Sequence, residues 1–431
     1  MKWLRKSASL GRPLYSAWVG LGMLLLLFRL AVADRWSAPL NLSQTAGRTS
    51  WPVLQEATTS GDLFVAWTDY TADAQGDIWV RRRIGATGVW STTSNLSDSP
   101  QRDEGPALFA DVQGRVHLAW TRRETSGGTT LLYRDWEGGG WSAIQVLDRT
   151  STYIPSPYSL SFIQDDAGRL CLFVTLGSGV SRTCLSAGGW EPLSPWVYVP
   201  GMRSLGALVW GPDGLLHAAI LGENPGDYGC DPWLDDVYYA TTADGVNWTV
   251  GPNLSAQGSI AYDTALAFDA QGRLHLFWSD ISPLCSYDSE RSAVYERVLE
   301  QGVWGPRREV SVPNEGQAVQ DLALARDAAG RLHLAWSEGL FNAQGAAVGL
   351  TIHYRRWDGS VWGEEEGVYP SSLRSIRVDL VVGQDGSARA VWEEGEAWQE
   401  DVFFSERAVG RWNVFLPFVA SSPAGIYLPK K

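Results

Sequence analysis

Short runs in which apolar and polar residues alternate, such as Leu322-Ala-Leu-Ala-Arg326 and Thr351-Ile-His-Tyr-Arg-Arg-Trp357, recur along the chain between stretches rich in Gly, Asp and Asn. A period of two places successive side chains on opposite faces, so these runs predict strands rather than helices. One phrase repeats closely: Asp111–Trp120, Asp269–Trp278 and Asp327–Trp336 each read Asp-x-x-Gly-Arg followed by an apolar-His-apolar run to Trp. Weaker copies are Gly61–Trp67, Asp165–Val174, Asp213–Ile220 and Asp385–Trp392, which makes seven. A Trp after a Gly-containing turn marks the same units at Trp36, Trp90, Trp141, Trp190, Trp248, Trp304, Trp362 and Trp412, at intervals of 49 to 58 residues.

Each unit resolves into four strands. In the unit ending at Trp362, strand d follows Trp304, strand a is Leu322–Arg326, strand b is Arg331–Trp336 and strand c is Thr351–Trp357. Such a unit cannot bury its own faces, and stacking the sheets radially does so. The expected fold is all-β, a seven-bladed β-propeller of four-stranded antiparallel blades over residues 34–414. Eight candidates for strand d compete for seven blades. Trp36–Ser43 is preferred as the closing outer strand, which leaves 415–431 as a C-terminal tail.

The first 33 residues read differently. Lys2, Arg5, Lys6 and Arg12 precede the apolar run Ala17–Phe28, and Ala31-Val-Ala33 offers an A-x-A cleavage site before Asp34. This is the pattern of a signal peptide. The run is short for a membrane span, so membrane contact is expected only through this segment if it stays uncleaved. The expected location is secreted or cell-surface. Four cysteines agree with an oxidising compartment. Cys171 and Cys184 fall on adjacent strands of the third unit, and Cys230 and Cys285 fall in neighbouring long loops, so those two pairings are expected. A formal net charge of −13 argues against a nucleic-acid partner, and a monomer is expected.

The repeat register weakens several candidate sites. His117, His217, His275 and His333 occupy one blade position and read as packing elements, and His353 in strand c is also read as structural. Zinc, triad, P-loop and EF-hand motifs are absent from the sequence. The long b–c loops share a face with the d–a connections, and function concentrates in such loops. Three residues stand six before the Asp of a turn: Asp263, Asp321 and Asp379. They are the candidate catalytic or metal-binding cluster at the channel mouth, with calcium as the candidate cofactor and Tyr262 beside them as a candidate nucleophile. The alternative is that each Asp accepts N–H bonds from its own loop. Arg48, Arg203, Arg374 and Arg377 enter the same face as candidate ligand contacts, with Arg102, Arg149, Trp233 and Asp280. The inter-loop cysteines and the acidic cluster place the expected function on blades four to seven.

The unit resembles the Asp-box (BNR) propellers of the sialidase (neuraminidase) superfamily. The box S/T-x-D-x-G-x-x-W has its nearest copy in Thr241-Thr-Ala-Asp-Gly-Val-Asn-Trp248, with weaker copies at Arg356–Trp362 and Tyr133–Trp141. The resemblance implies a carbohydrate-related propeller. It also implies six blades, an arginine triad, a Tyr–Glu nucleophile pair and an acid/base Asp. Seven units are counted instead, and no F/Y-R-I-P segment is present. Arg48, Arg203 and Arg377 imitate the triad without a motif to align them. The reading is a propeller that binds a glycan or an extracellular protein through its loop face. The alternatives are a glycoside hydrolase with paired carboxylates there, or a structural surface module.

Overall fold

The computed structural model describes residues 36–407 apart from 72–74, 151–159, 166, 177–178, 196, 200, 224–234, 256–260, 281–291, 313–316 and 342–346. The expected signal segment and tail, with Trp233, Cys230, Cys285 and the Tyr262 side chain, lie outside the described residues. Within Trp36–Arg407 there are seven antiparallel sheets and, among the described residues, no helix. The all-β, seven-bladed propeller expected from the repeat is the fold found.

Strand a of the blades, in chain order, is Thr49–Glu56, Arg102–Ala110, Leu160–Gln164, Met202–Trp210, Ala261–Phe268, Gln317–Arg326 and Arg374–Val382. Strands b and c follow by short pairings, as in blade 6, Leu332–Phe341 and Ala347–Trp357. These are longer than the alternating pattern alone indicated, because pairing continues into the loop face. Leu40–Asn41 pairs with Gln399–Arg407, so the segment Trp36–Ser43 does supply the outer strand of blade 7 and closes the ring.

The a–b turn explains the repeated phrase. Asp269 Oδ1 accepts the N–H groups of Gln271 and Arg273 at 2.9 and 3.0 Å, and Asp327 Oδ1 accepts those of Ala329 and Arg331, both at 2.9 Å. The Gly that ends the turn adopts positive φ in all seven blades, from 68° at Gly61 to 84° at Gly114. A side chain there would be strained, which is why that Gly recurs. The box copy on the c–d turn of blade 4 works in the same way: Asp244 Oδ1 accepts the N–H groups of Val246 and Asn247 at 2.8 and 2.7 Å.

The core consists of seven apolar clusters, one between each pair of neighbouring blades. Trp67, Trp120, Trp278, Trp336 and Trp392 of strand b are fully buried in them, as expected of inter-blade core. The histidines are packing elements too. His117, His217 and His333 each bridge a Tyr hydroxyl (Tyr133, Tyr239, Tyr354) and a turn Asp. Blade 5 replaces the Tyr with Glu296, which meets His275 at 2.5 Å and Arg308 at 3.0 Å. Blade 3 places Cys171 at the histidine position and bonds it to Cys184 across strands b and c.

Candidate functional site

The inner strands of all seven blades line a central channel of about 690 Å³. Six of these strands lose register with strand b near their loop-face end, between Ser50 and Val53, Glu104 and Ala107, Leu205 and Leu208, Ala261 and Thr264, Gln320 and Ala323, and Ile376 and Asp379. Such a bulge frees a backbone N–H from its own ladder. Trp51, Gly105, Asp321 and Arg377 sit at these bulges with φ of 56°, 62°, 56° and 53°.

At these four bulges the freed N–H is taken by a side chain of the preceding blade. Thr68 Oγ1 accepts from Gly105, Asp263 Oδ2 from Asp321, Asp321 Oδ2 from Arg377 and Glu393 Oε1 from Trp51, at 3.2, 2.8, 3.0 and 2.5 Å. The aspartates therefore do not serve their own loops. They tie blade 5 to 6 and blade 6 to 7, and Glu393 ties blade 7 to 1.

The register of Asp379 requires correction. In blade 7 the turn begins at Gly383, whose N–H bonds Ser387 as the N–H of Asp327 bonds Arg331. Asp385 is the third turn residue, so counting six back from it stops two residues short. Arg377 is the true equivalent of Asp321, and in blade 1 Trp51 holds the position. Asp379 instead accepts the N–H of Leu54 at 2.7 Å. The three Asp do not converge as metal ligands. Among the described residues, the one group of three or more acidic or histidine ligands within 4.8 Å is Glu338, His353 and Glu365.

Burial sets the electrostatics of the channel carboxylates. Desolvation, reinforced by the charge of Asp321, pushes Asp263 up to about 7. Desolvation also raises Asp321, takes Asp379 up to about 6 and takes Glu393 to about 7 even though Arg377 opposes it.

Arginines and aromatics form a second, more exposed layer. Arg374 meets Glu400 at 3.1 Å, and Arg48 lies 4.0 Å from the same carboxylate. The Arg48 guanidinium stacks between Trp398 (4.5 Å) and Tyr70 (5.2 Å). Tyr70 donates to Glu104 at 2.6 Å, and Arg102 meets Glu104 at 2.5 Å. The network is continuous over blades 7, 1 and 2. Just inside it, Arg377 pairs with Glu393 at 2.7 Å and stacks on Trp51 at 5.1 Å. The four guanidinium side chains keep 24–36% of their exposure, whereas their carboxylate partners keep 0–5%. The surface therefore presents cations, with the anions buried beneath.

The structure thus brings Arg48, Arg374 and Arg377 together. Arg203 lies in strand a of blade 4, and Asp280 is buried at the end of strand b in blade 5. The dense cluster stands on blades 7, 1 and 2, and so shares blade 7 with the expected blades four to seven. Trp398, Tyr70 and Glu400 were missed. The available signal was an aromatic in the two-residue gap between strands b and c of blade 7.

No family model and no curated protein matches the chain. Solved structures do. A polysaccharide lyase, an ulvan lyase of family PL25, aligns over 85% of this chain and 95% of its own with TM-score 0.56 and 11% identity. A protein of unknown function from Dyadobacter fermentans aligns over 86% and 98% with TM-score 0.52 and 10% identity. A leech intramolecular trans-sialidase aligns over 86% and 70% with TM-score 0.47 and 12% identity. At these identities the likeness is one of fold alone: the chain is a seven-bladed β-propeller whose fold resembles that of the ulvan lyase.

Proposed function

We propose that the loop face over blades 7, 1 and 2 binds an acidic glycan, one carrying carboxylate or sulfate groups. The observation that carries this reading is the layer of four solvent-facing guanidiniums (Arg48, Arg102, Arg374 and Arg377) over buried carboxylates, on a chain of net charge −13. Guanidinium forks match carboxylate and sulfate oxygens, and their planes stack on aromatics. Trp398, 72% exposed, offers a flat face at the rim for a sugar ring. The ulvan lyase likeness agrees with this, since one of its structures holds -[GlcA(1-4)Rha3S]-.

Export to the cell surface or medium is part of the proposal. It rests on the N-terminal basic–apolar–A-x-A pattern and agrees with the Cys171–Cys184 disulfide. A monomer is the proposed state. The test is affinity electrophoresis of the protein through gels containing uronate-rich, sulfated or neutral polysaccharides. Retardation by the acidic polymers, relieved by salt and lost in Arg48→Ala/Arg374→Ala, is expected. Equal retardation by neutral polymers, or none in any gel, overturns the reading.

A second reading is glycoside hydrolysis in the channel. Asp263, pushed up to about 7, would hold a proton at neutral pH as a general acid requires, with Asp321 beside it. Reducing-sugar release that persists unchanged in Asp263→Asn would remove it.

A further inference from the structure

Under the loop face of blade 7, three guanidiniums share two buried carboxylates. Glu393, 0% exposed, pairs with Arg377 at 2.7 Å, and Glu400, 3% exposed, meets Arg374 at 3.1 Å with Arg48 4.0 Å away. Glu393 has two separate duties. Its Oε1 accepts the Trp51 N–H across the junction of blades 7 and 1, and its Oε2 accepts from the Arg377 guanidinium. We infer that Glu393 is a proton-operated switch for acidic-glycan binding: ionised, it holds Arg377 and offsets its charge, and protonated, it leaves Arg377 to the ligand. The inference rests on the loop-face reading proposed above and names how that site is regulated.

The geometry lets the charge change while the frame stays. Arg377 is fixed at its backbone, where its N–H donates to Asp321 at 3.0 Å, and its guanidinium stacks on Trp51 at 5.1 Å. Neither contact needs a charge on Glu393. The Arg377 side chain keeps 24% of its exposure and lines the central channel, so a ligand can reach it. A neutral Glu393 carboxyl still offers an oxygen to the Trp51 N–H, so the junction of blades 7 and 1 remains tied. What protonation removes is the charge-assisted bond to Arg377, the stronger kind of hydrogen bond.

The groups packed around Glu393 decide when the proton arrives. Burial favours the neutral form most, and the charge of Glu400 on strand c adds to it. Arg377 on strand a and the Trp51 N–H of blade 1 oppose it, and burial prevails, which brings the carboxyl up to about 7. Asp379 on strand a and Asp321 of blade 6 are also raised by burial, but they accept the backbone N–H groups of Leu54 and Arg377. Arg374 and Arg48 face Glu400 instead. Glu393 is therefore the buried acid whose proton acts directly on a ligand-facing guanidinium. An anion on Arg377 favours the protonated carboxyl, so binding takes up a proton and strengthens as pH falls through about 7.

The test uses dextran sulfate, whose sulfate groups stay ionised throughout, in affinity gels run at about pH 5.5 and about pH 8.5, on either side of the Glu393 transition. The wild type is expected to bind roughly fivefold or more tightly at the lower pH. Glu393→Gln imitates the neutral acid and is expected to bind at the higher pH as the wild type does at the lower, with most of the pH dependence gone. The general loss of negative charge on acidification is common to both proteins, so the difference between their pH ratios reads Glu393. Calorimetry of the wild type near pH 7, in two buffers of different ionisation enthalpy, is expected to show proton uptake on binding and decides the matter if the variant does not fold. A pH ratio unchanged in Glu393→Gln, or binding without proton uptake, overturns the switch and leaves the loop-face reading standing. No binding at either pH overturns both.

Discussion

The Asp321 carboxylate accepts the backbone N–H of Arg377 at 3.0 Å, across the junction of blades 6 and 7. Both residues stand at a bulge with positive φ, and Asp321 itself receives the same service from Asp263. Between blades 1 and 2 the uncharged Thr68 does this work for Gly105. An N–H acceptor is thus needed at these junctions, but a charge is not. The carboxylates of blades 5, 6 and 7 carry a desolvation cost that Thr68 avoids.

That contrast predicts how Asp321 variants behave. Asp321→Ala leaves the Arg377 N–H without its acceptor and is expected to cost about 1–3 kcal/mol. Asp321→Asn keeps an acceptor oxygen, tolerates the left-handed backbone and removes a buried charge. It is expected to be close to neutral at pH 7. Urea unfolding of both variants checks this, and equal destabilisation would show that the charge rather than the acceptor matters.

The pH dependence follows from the same groups. Asp263 and Glu393 are pushed up to about 7 and Asp379 to about 6, against ordinary carboxyl values near 4. Between those limits the folded chain binds more protons than the unfolded one. The contribution of these groups is therefore fully present below about pH 4 and is lost as pH rises through about 7. Asp244 works in the opposite sense, since backbone N–H bonds hold its carboxyl low and its contribution is lost in strong acid. The urea midpoint is expected to fall from pH 4.5 to pH 7.5. Glu393→Gln, which keeps the acceptor for Trp51, is expected to shrink that fall. An unchanged slope would refute the assignment to Glu393.

The propeller was legible because the features that build it are local. Alternation, the Asp-x-x-Gly turn and the Trp after each turn all lie within a few residues of one another, and each has a backbone reason. The site was only half legible. Arg48, Arg374 and Arg377 were found because they fall at or next to the loop-face start of strand a, but the Arg48 partner Glu400 lies far along the chain. Ring closure alone makes them neighbours. The Asp379 register misled because Gly383-Gln-Asp385-Gly386 resembles the usual turn while carrying its Asp two places late.

The blade 3 disulfide gives a separate prediction. Cys171 and Cys184 close a loop with a sequence separation of 13 at the position where blades 2, 4, 5 and 6 use a histidine bridge. A loop of that size is worth about 3 kcal/mol by chain entropy. Cys171→Ser/Cys184→Ser is expected to lower the melting temperature, and reductant is expected to lower that of the wild type but not of the double variant. Wild-type melting that is insensitive to a strong reductant would mean that the bond carries little of the blade's stability.

Trp398 separates stability from binding. Among the described residues it is the most exposed large hydrophobic, and it is held at φ 72° in a two-residue turn, where a side chain costs about 1–2 kcal/mol relative to Gly. Its stack on Arg48 at 4.5 Å returns about 0.5–1 kcal/mol. Trp398→Gly relieves the backbone, loses the stack and gains freedom in the unfolded chain, so the terms nearly cancel. The variant is expected to melt within a few degrees of the wild type. Its retention by acidic polysaccharide is expected to fall roughly tenfold, the scale of about 1.4 kcal/mol. Strain retained at an exposed aromatic is explained by use at a surface, because packing would have buried the ring. If Trp398→Gly binds acidic polysaccharide as tightly as the wild type, the ring is no platform and the arginines alone must account for recognition.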